Sequence, residues 1–138
     1  VKGSSPGNRF IPGKRPMSTM NPVIVKNKDN NISIITGSPG GSFIPAAALR
    51  VITGIIDFNL DVGQATMLPR IHKDWPYAGL EYESTLSSDI VSVLERLGHQ
   101  PESSKTLGST QSISIIDGIN YGYADLRRPN AGVAIQVD

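Results

Sequence analysis

Ile32-Ser33-Ile34-Ile35-Thr36-Gly37-Ser38-Pro39-Gly40-Gly41-Ser42-Phe43-Ile44 decides how this chain is read, because it joins a β-branched run to a long apolar helix through a glycine turn. Residues 32–35 favour a strand. Residues 43–58 predict a helix, with Pro45 harmless in the first turn, where no intrahelical N–H bond is lost. A turn placed there points backbone N–H groups outward at a helix N-terminus, where the helix dipole is positive. Such a site suits negative charge, either a bound anion or an oxyanion formed during a reaction. A phosphate cradle is the poorer fit. No Lys-Ser or Lys-Thr follows the glycines, and the G-x-G-x-x-G spacing is missing. Gly40 and Gly41 lack Cβ atoms and would let a substrate carbonyl approach both N–H groups. A tight connection that uses glycine only for its conformation is the competing reading, and the residues alone leave both open.

Outward from this stretch, residues 22–26 and 32–36 flank Lys28-Asp29-Asn30-Asn31 as a hairpin. Along the helix, Arg50, Thr53 and Asp57 share one narrow polar stripe, which predicts burial around most of the remaining circumference. A short helix is expected over 62–68, a loop over 70–77 and a strand over 80–83. Ser87 or Ser88 should cap a helix with Ile90, Val91, Leu94 and Leu97 on one face and Gly98 ending it. Ser112-Ile113-Ser114-Ile115 alternates as a half-buried strand, and Asp117-Gly118 turns it into a second strand over 119–124. A last strand is expected over 132–137. Strand pairs interspersed with buried helices predict a layered α+β architecture with antiparallel sheet. Residues 1–22, rich in Pro and Gly, form an irregular segment ahead of a core over 23–138.

The chain has 138 residues, enough for one domain or a large piece of one. Hydrophobic residues make up 38% and charged residues 18%, which separates it from disordered chains. Its net charge of +1, without long runs of one sign, gives no electrostatic footprint for nucleic acid or an anionic membrane. With no cysteine, thiol catalysis and disulfides are excluded. No apolar run spans a bilayer, and neither a metal nor an organic cofactor is indicated. Val1 does not resemble a translational start, so further sequence is expected ahead of it.

Other candidate positions carry bland readings beside functional ones. Ser18 and Thr19, adjacent hydroxyls between Pro16 and Pro22, can grip a carboxylate or simply cap a turn. His72 and His99 stand singly, with no carboxylate or second histidine at ligand spacing, and read as surface or packing residues. Asp125, Arg127 and Arg128 read as a salt-bridged turn. Trp75 and Tyr77 line a cleft or cover the edge of the core. No Ser-His-Asp set or paired-carboxylate spacing can be argued.

At these motifs the chain resembles a known family. Residues 12–22 (Pro-Gly-Lys-Arg-Pro-Met-Ser-Thr-Met-Asn-Pro), 36–42 (the glycine turn), 69–72 (Pro-Arg-Ile-His), 98–99 (Gly-His), and 108–113 (Gly-Ser-Thr-Gln-Ser-Ile) closely resemble, in order and spacing, the small C-terminal subunit of γ-glutamyltranspeptidases. Residues 125–129 (Asp-Leu-Arg-Arg-Pro) are similar to that family's closing motif. The resemblance implies the N-terminal nucleophile hydrolase fold, a four-layer αββα sandwich to which this chain contributes part. It also implies a self-cleaving precursor, whose large subunit partners the small one. A threonine exposed at the new N-terminus then attacks the γ-glutamyl carbonyl of a glutathione-like donor. Water or the amine of an amino acid or peptide releases the acyl group.

Residue by residue, Gly40 and Gly41 correspond to the family's oxyanion glycines, and Ser18 and Thr19 to the Ser-Ser pair that binds the donor α-carboxylate. Thr19 departs from the usual Ser, keeping the hydroxyl and adding a methyl. Met17 replaces the usual Leu and Leu126 the usual Pro. The nucleophilic threonine matches no position here, so it is expected upstream of Val1, leaving this chain inactive alone. The family also implies a periplasmic or secreted location. Relatives acting on poly-γ-glutamate or glutaryl-type amides are alternatives within the superfamily. The Ser18-Thr19 pair, suited to a free α-carboxylate, speaks against the acyl amides. A catalytically inactive homologue serving as a binding module is the alternative from another class.

Overall fold

The computed structural model describes residues 9, 11–18, 20–76 and 79–136. Strands β1 (Val23–Lys26) and β2 (Ile32–Gly37) form the expected hairpin. The glycine turn follows, then helix α1 (Phe43–Ile56) and helix α2 (Val62–Met67). Next come β3 (Ile71–His72), β4 (Gly79–Glu83), helix α3 (Ser88–Arg96) and β5 (Gln100–Ser104). Strands β6 (Gln111–Ile116) and β7 (Ile119–Ala124) form the second hairpin, with Asp117 and Gly118 both at positive φ, as a two-residue turn of this kind demands.

Two sheets result, one ordered β1-β2-β6-β7 and one ordered β3-β4-β5. The first is antiparallel throughout. The second departs from expectation, because β4 and β5 run parallel, connected through α3. The sequence signal for β5 is poor: Gln100-Pro101-Glu102-Ser103-Ser104 has little β propensity, and pairing with β4 imposes the strand. Likewise β3 forms in a segment read as loop, because Ile71 and His72 pair with Tyr82 and Glu81.

Helices α1 and α2 cover one face of the four-stranded sheet. The core under them contains Ile34 of β2 with Ile44, Ala47, Ala48 and Val51 of α1 and Val62 and Ala65 of α2, all buried. Close approach of the helices depends on small residues: a Cβ on Gly54 would lie 2.9 Å from the Ala65 Cβ. Asp61 and Gln64 close α2 with a reciprocal capping box. On the helix-facing side, Thr36 and Ser112 are buried and hydrogen-bonded to each other at 2.8 Å.

Helix α1 is less enclosed than its apolar sequence predicts. Leu49 is 60% exposed and Ile56 53%, because only one side of the helix meets the sheet and α2. Helix α3 behaves similarly: Val91 and Leu94 are half-buried, whereas Ile90 and Leu97 face solvent. Residues 132–136 form no strand. Val133 packs across Gly122, where a Cβ would come within 2.9 Å of its Cγ1. The segment therefore crosses β7 instead of adding to its edge.

Candidate active site

One end of the four-stranded sheet gathers most of the residues singled out in the sequence. Antiparallel pairing sets the start of β1 beside the end of β2, so Pro22 lies against Gly37, 3.7 Å from where its Cβ would be. Gly37 pairs with Gln111, and Gln111 with Ala124. The segment ending at Pro22, the glycine turn, the residues before β6 and those after β7 therefore converge.

Gly40 (φ +138°) and Gly41 (φ +61°) hold conformations that side chains disfavour. Their carbonyls accept the first bonds of α1, from the Phe43 and Ile44 N–H groups. Among the described residues, no acceptor engages the N–H of either glycine. The turn rests on the loop ahead of β6. A Cβ on Gly40 would be 3.2 Å from the Gly108 Cα, and the Ser109 N–H donates to Ser38 Oγ at 2.9 Å. Ser38 Oγ itself donates to the Pro39 carbonyl at 2.7 Å.

Beneath this loop is a charged cluster that the sequence reading did not assemble. Arg70, 2% exposed, donates to the carbonyls of Thr66, Leu107 and Gly108, to Thr110 Oγ1 and to Asp125 Oδ2. Asp125 also accepts from the N–H groups of Thr110 and Arg127. Glu83 accepts from the N–H groups of Arg70 and Leu107 and from the Arg127 guanidinium, the last at 2.6 Å. Two guanidiniums thus balance two carboxylates. Burial pushes the Asp125 pKa up, but the Arg127 N–H and the Arg70 guanidinium outweigh it and hold the group below the usual carboxylate range. Burial shifts the Arg70 pKa downward. For Arg127, bonds to Glu83 and Asp125 overcome burial and raise it. The expected salt-bridged turn forms through Arg127, which pairs with Asp125 at 3.2 Å as one corner of this larger cluster, whereas Arg128 has no carboxylate partner among the described residues.

His72 has a carboxylate partner after all. Its Nε2 lies 2.8 Å from Asp74 Oδ1, and its ring meets Phe43 edge-on at 4.9 Å. The hydrogen bond from His72, then that from Ser42, depresses the Asp74 pKa. Asp74 thereby draws away the Ser42 hydroxyl, which makes no capping bond to α1. His99 is half-buried, and Trp75 is 92% exposed and covers no core edge. Tyr77 lies outside the described residues.

Ser18 is exposed, and its hydroxyl accepts from the Met20 N–H at 3.4 Å. Thr19 lies outside the described residues. No hydrogen bond among the described residues joins Ser18 to Gly40 or Gly41. Among the described residues, no group of three His, Cys, Asp or Glu side chains could hold a metal ion, and no helix is long and apolar enough to cross a membrane.

The fold, two sheets with helices packed on the four-stranded one, is that of the N-terminal nucleophile hydrolases. The chain belongs to the gamma-glutamyltranspeptidase family, whose sequence pattern it matches over residues 2–135. It is 42% identical to the glutathione hydrolase proenzyme of Escherichia coli over 121 residues, which is 87% of this chain and 21% of that protein. The glutathione hydrolase proenzyme of Bacillus subtilis is 34% identical over 133 residues, covering 94% of this chain and 22% of its own length. A crystal structure of a Helicobacter pylori gamma-glutamyltranspeptidase mutant superposes with a TM-score of 0.80 at 32% identity, over 91% of this chain and 69% of that one. The chain therefore spans about a fifth of the length of these curated relatives.

Proposed function

We propose that this chain is the oxyanion- and donor-binding part of an enzyme that moves a γ-glutamyl group from glutathione-like donors to water or to an amino acid or peptide amine. The observation that carries the reading is the glycine turn: two N–H groups without an acceptor among the described residues, at the N-terminus of a helix packed on the core, in a chain of this family. In this reading the Gly40 and Gly41 N–H groups hold the carbonyl oxygen as it becomes an oxyanion. Fixed dipoles stabilise that charge without reorganising. Ser18 and Thr19 bind the donor α-carboxylate; what supports this placement is that Pro22, just after them in the chain, lies against Gly37 at the start of the turn.

The nucleophile is an N-terminal threonine outside this chain, exposed by self-cleavage of a precursor, and its α-amine is the base. Its Oγ bonds to the acyl carbon, the amide C–N bond breaks, and the proton taken from Oγ passes to the leaving amine. In the second half, water or an acceptor amine bonds to the same carbon and the ester C–O bond breaks. The threonine then recovers its proton. The exposed apolar residues on α1, Leu49 and Ile56, fit a chain that packs against the rest of such a precursor, including its large subunit. We place the mature enzyme in the periplasm or outside the cell.

The test uses the whole protein containing this chain. Intact mass and N-terminal sequencing should show two subunits, the smaller beginning with Thr, and γ-glutamyl-p-nitroanilide should release p-nitroaniline. A precursor that stays whole, or a small subunit with another first residue, overturns the reading.

A further inference from the structure

Between the glycine turn and the final turn lies a cleft of about 460 Å³. Pro39, Gly40 and Phe43 line it from the turn, Ser109 from the loop ahead of β6, and Arg128 and Pro129 from beyond β7. Among the described residues, two of its polar groups lack partners. Ser109 is 7% exposed, and its Oγ is buried without a hydrogen bond. A hydroxyl left in that state costs free energy unless a ligand satisfies it. Thr66 Oγ1 and Arg70 Nε are also unpaired, but neither residue lines the cleft. Arg128 is exposed and, unlike Arg70 and Arg127, its guanidinium has no carboxylate partner among the described residues.

We propose that this cleft binds the amine-side partner of the reaction, a peptide or amino acid whose carboxylate is read by Arg128 and Ser109. The proposal rests on the γ-glutamyl-transfer reading and adds the residues that select its amine partner. An amine leaving the acyl carbon and an amine arriving at it occupy the same position relative to the oxyanion. One cleft beside Gly40 therefore serves both. A peptide amine carries a carboxylate at its far end, and a guanidinium matches that group with paired N–H donors. The Ser109 hydroxyl supplies another donor, while Pro39, Phe43 and Pro129 offer apolar surface to a side chain. The donor's own α-carboxylate is assigned to Ser18 and Thr19, so the two carboxylates do not compete.

The experiment compares glycylglycine with glycylglycinamide as acceptors in the full self-cleaved protein. The donor is γ-glutamyl-p-nitroanilide, whose leaving group has no carboxylate. Arg128→Ala should raise the KM for glycylglycine relative to that for glycylglycinamide about tenfold, the scale of a lost charge-assisted contact. Arg128→Lys should recover part of that ratio, and Ser109→Ala should shift it in the same direction as Arg128→Ala. An Arg128→Ala protein that keeps the wild-type KM ratio overturns the proposal. Absence of p-nitroaniline release from the unsubstituted protein would instead overturn the γ-glutamyl reading, and this assignment with it.

Discussion

Arg70 and Asp125 meet at 2.7 Å with side chains only 3% and 0% exposed, linking the segment before β3 to the turn after β7. The pair does more than neutralise itself. Arg70 also holds the Leu107 and Gly108 carbonyls, so the loop supporting the glycine turn hangs from this guanidinium. Removing one partner strands a buried charge, at a cost of about 3–5 kcal/mol. Asp125→Ala should lower unfolding stability by that amount in urea titrations of the whole protein. Because the residues touch, Arg70→Met combined with Asp125→Ala should cost less than the two single changes added together.

The same carboxylate gives a pH dependence with a definite sign. The folded Asp125 pKa is depressed below its unfolded value. Its contribution is therefore fully present above the ordinary Asp range, about pH 4, and disappears as pH falls through the folded pKa. Stability measured from pH 7 down to 3 should fall on the acid side, and Asp125→Asn should flatten that limb. An unchanged acid limb in the variant would show that Asp125 titrates alike in both states.

Local signals explain why much of the fold could be read in advance. The hairpin at Asp117-Gly118, the Ser87 cap and the β2–glycine turn–α1 unit each depend on neighbours within a few residues. The strand β5 and the Arg70–Asp125–Glu83–Arg127 cluster do not. Arg70 and Asp125 are 55 residues apart, and Arg127 and Glu83 44, so no spacing rule connects them. Of the strand expected over 132–137, residues 132–136 form none for a related reason, and Val137 lies outside the described residues. Apolar residues there signal burial, but Val133 packs over Gly122 while remaining 52% exposed and joins no ladder. Within the site, the glycines were legible because their conformation demands glycine. The histidine at 72 was misjudged because its partner, Asp74, is brought to it by chain geometry.

The two glycines of the turn should respond differently to a methyl group. At Gly41 the added Cβ meets nothing within 4 Å, but φ is +61°, so Gly41→Ala mainly strains the backbone. At Gly40 the Cβ would press on the Gly108 Cα at 3.2 Å, with φ at +138°. Both changes disturb the N–H pair assigned to the oxyanion, and loss of one such donor costs about 100-fold in turnover. We expect Gly40→Ala to reach that loss in kcat for γ-glutamyl-p-nitroanilide, with Gly41→Ala less affected. A folded Gly40→Ala protein with wild-type kcat would remove the turn from the mechanism.

Gly108 tests whether the loop sets the geometry of the turn. It sits at φ +81°, and a Cβ there would lie 2.7 Å from Ser38 Oγ, 3.2 Å from the Ala47 Cβ and 3.3 Å from the Pro39 carbonyl oxygen. The Ser38 hydroxyl could rotate away, but it would then abandon the Ser109 N–H and the Pro39 carbonyl it now bridges. Ala47 belongs to the buried face of α1 and cannot yield. The displacement must therefore fall on Pro39 and the adjoining Gly40. A shift of about 1 Å in a catalytic dipole is worth up to about 100-fold in rate. Gly108→Ala should lower kcat by about 10- to 100-fold while the donor KM moves far less, because the Ser18 segment is untouched. Ser38→Ala, which removes the bridge without adding bulk, should produce a smaller fall of the same kind. Equal losses in kcat and donor affinity would mean that the loop supports the whole end of the sheet and not the turn in particular.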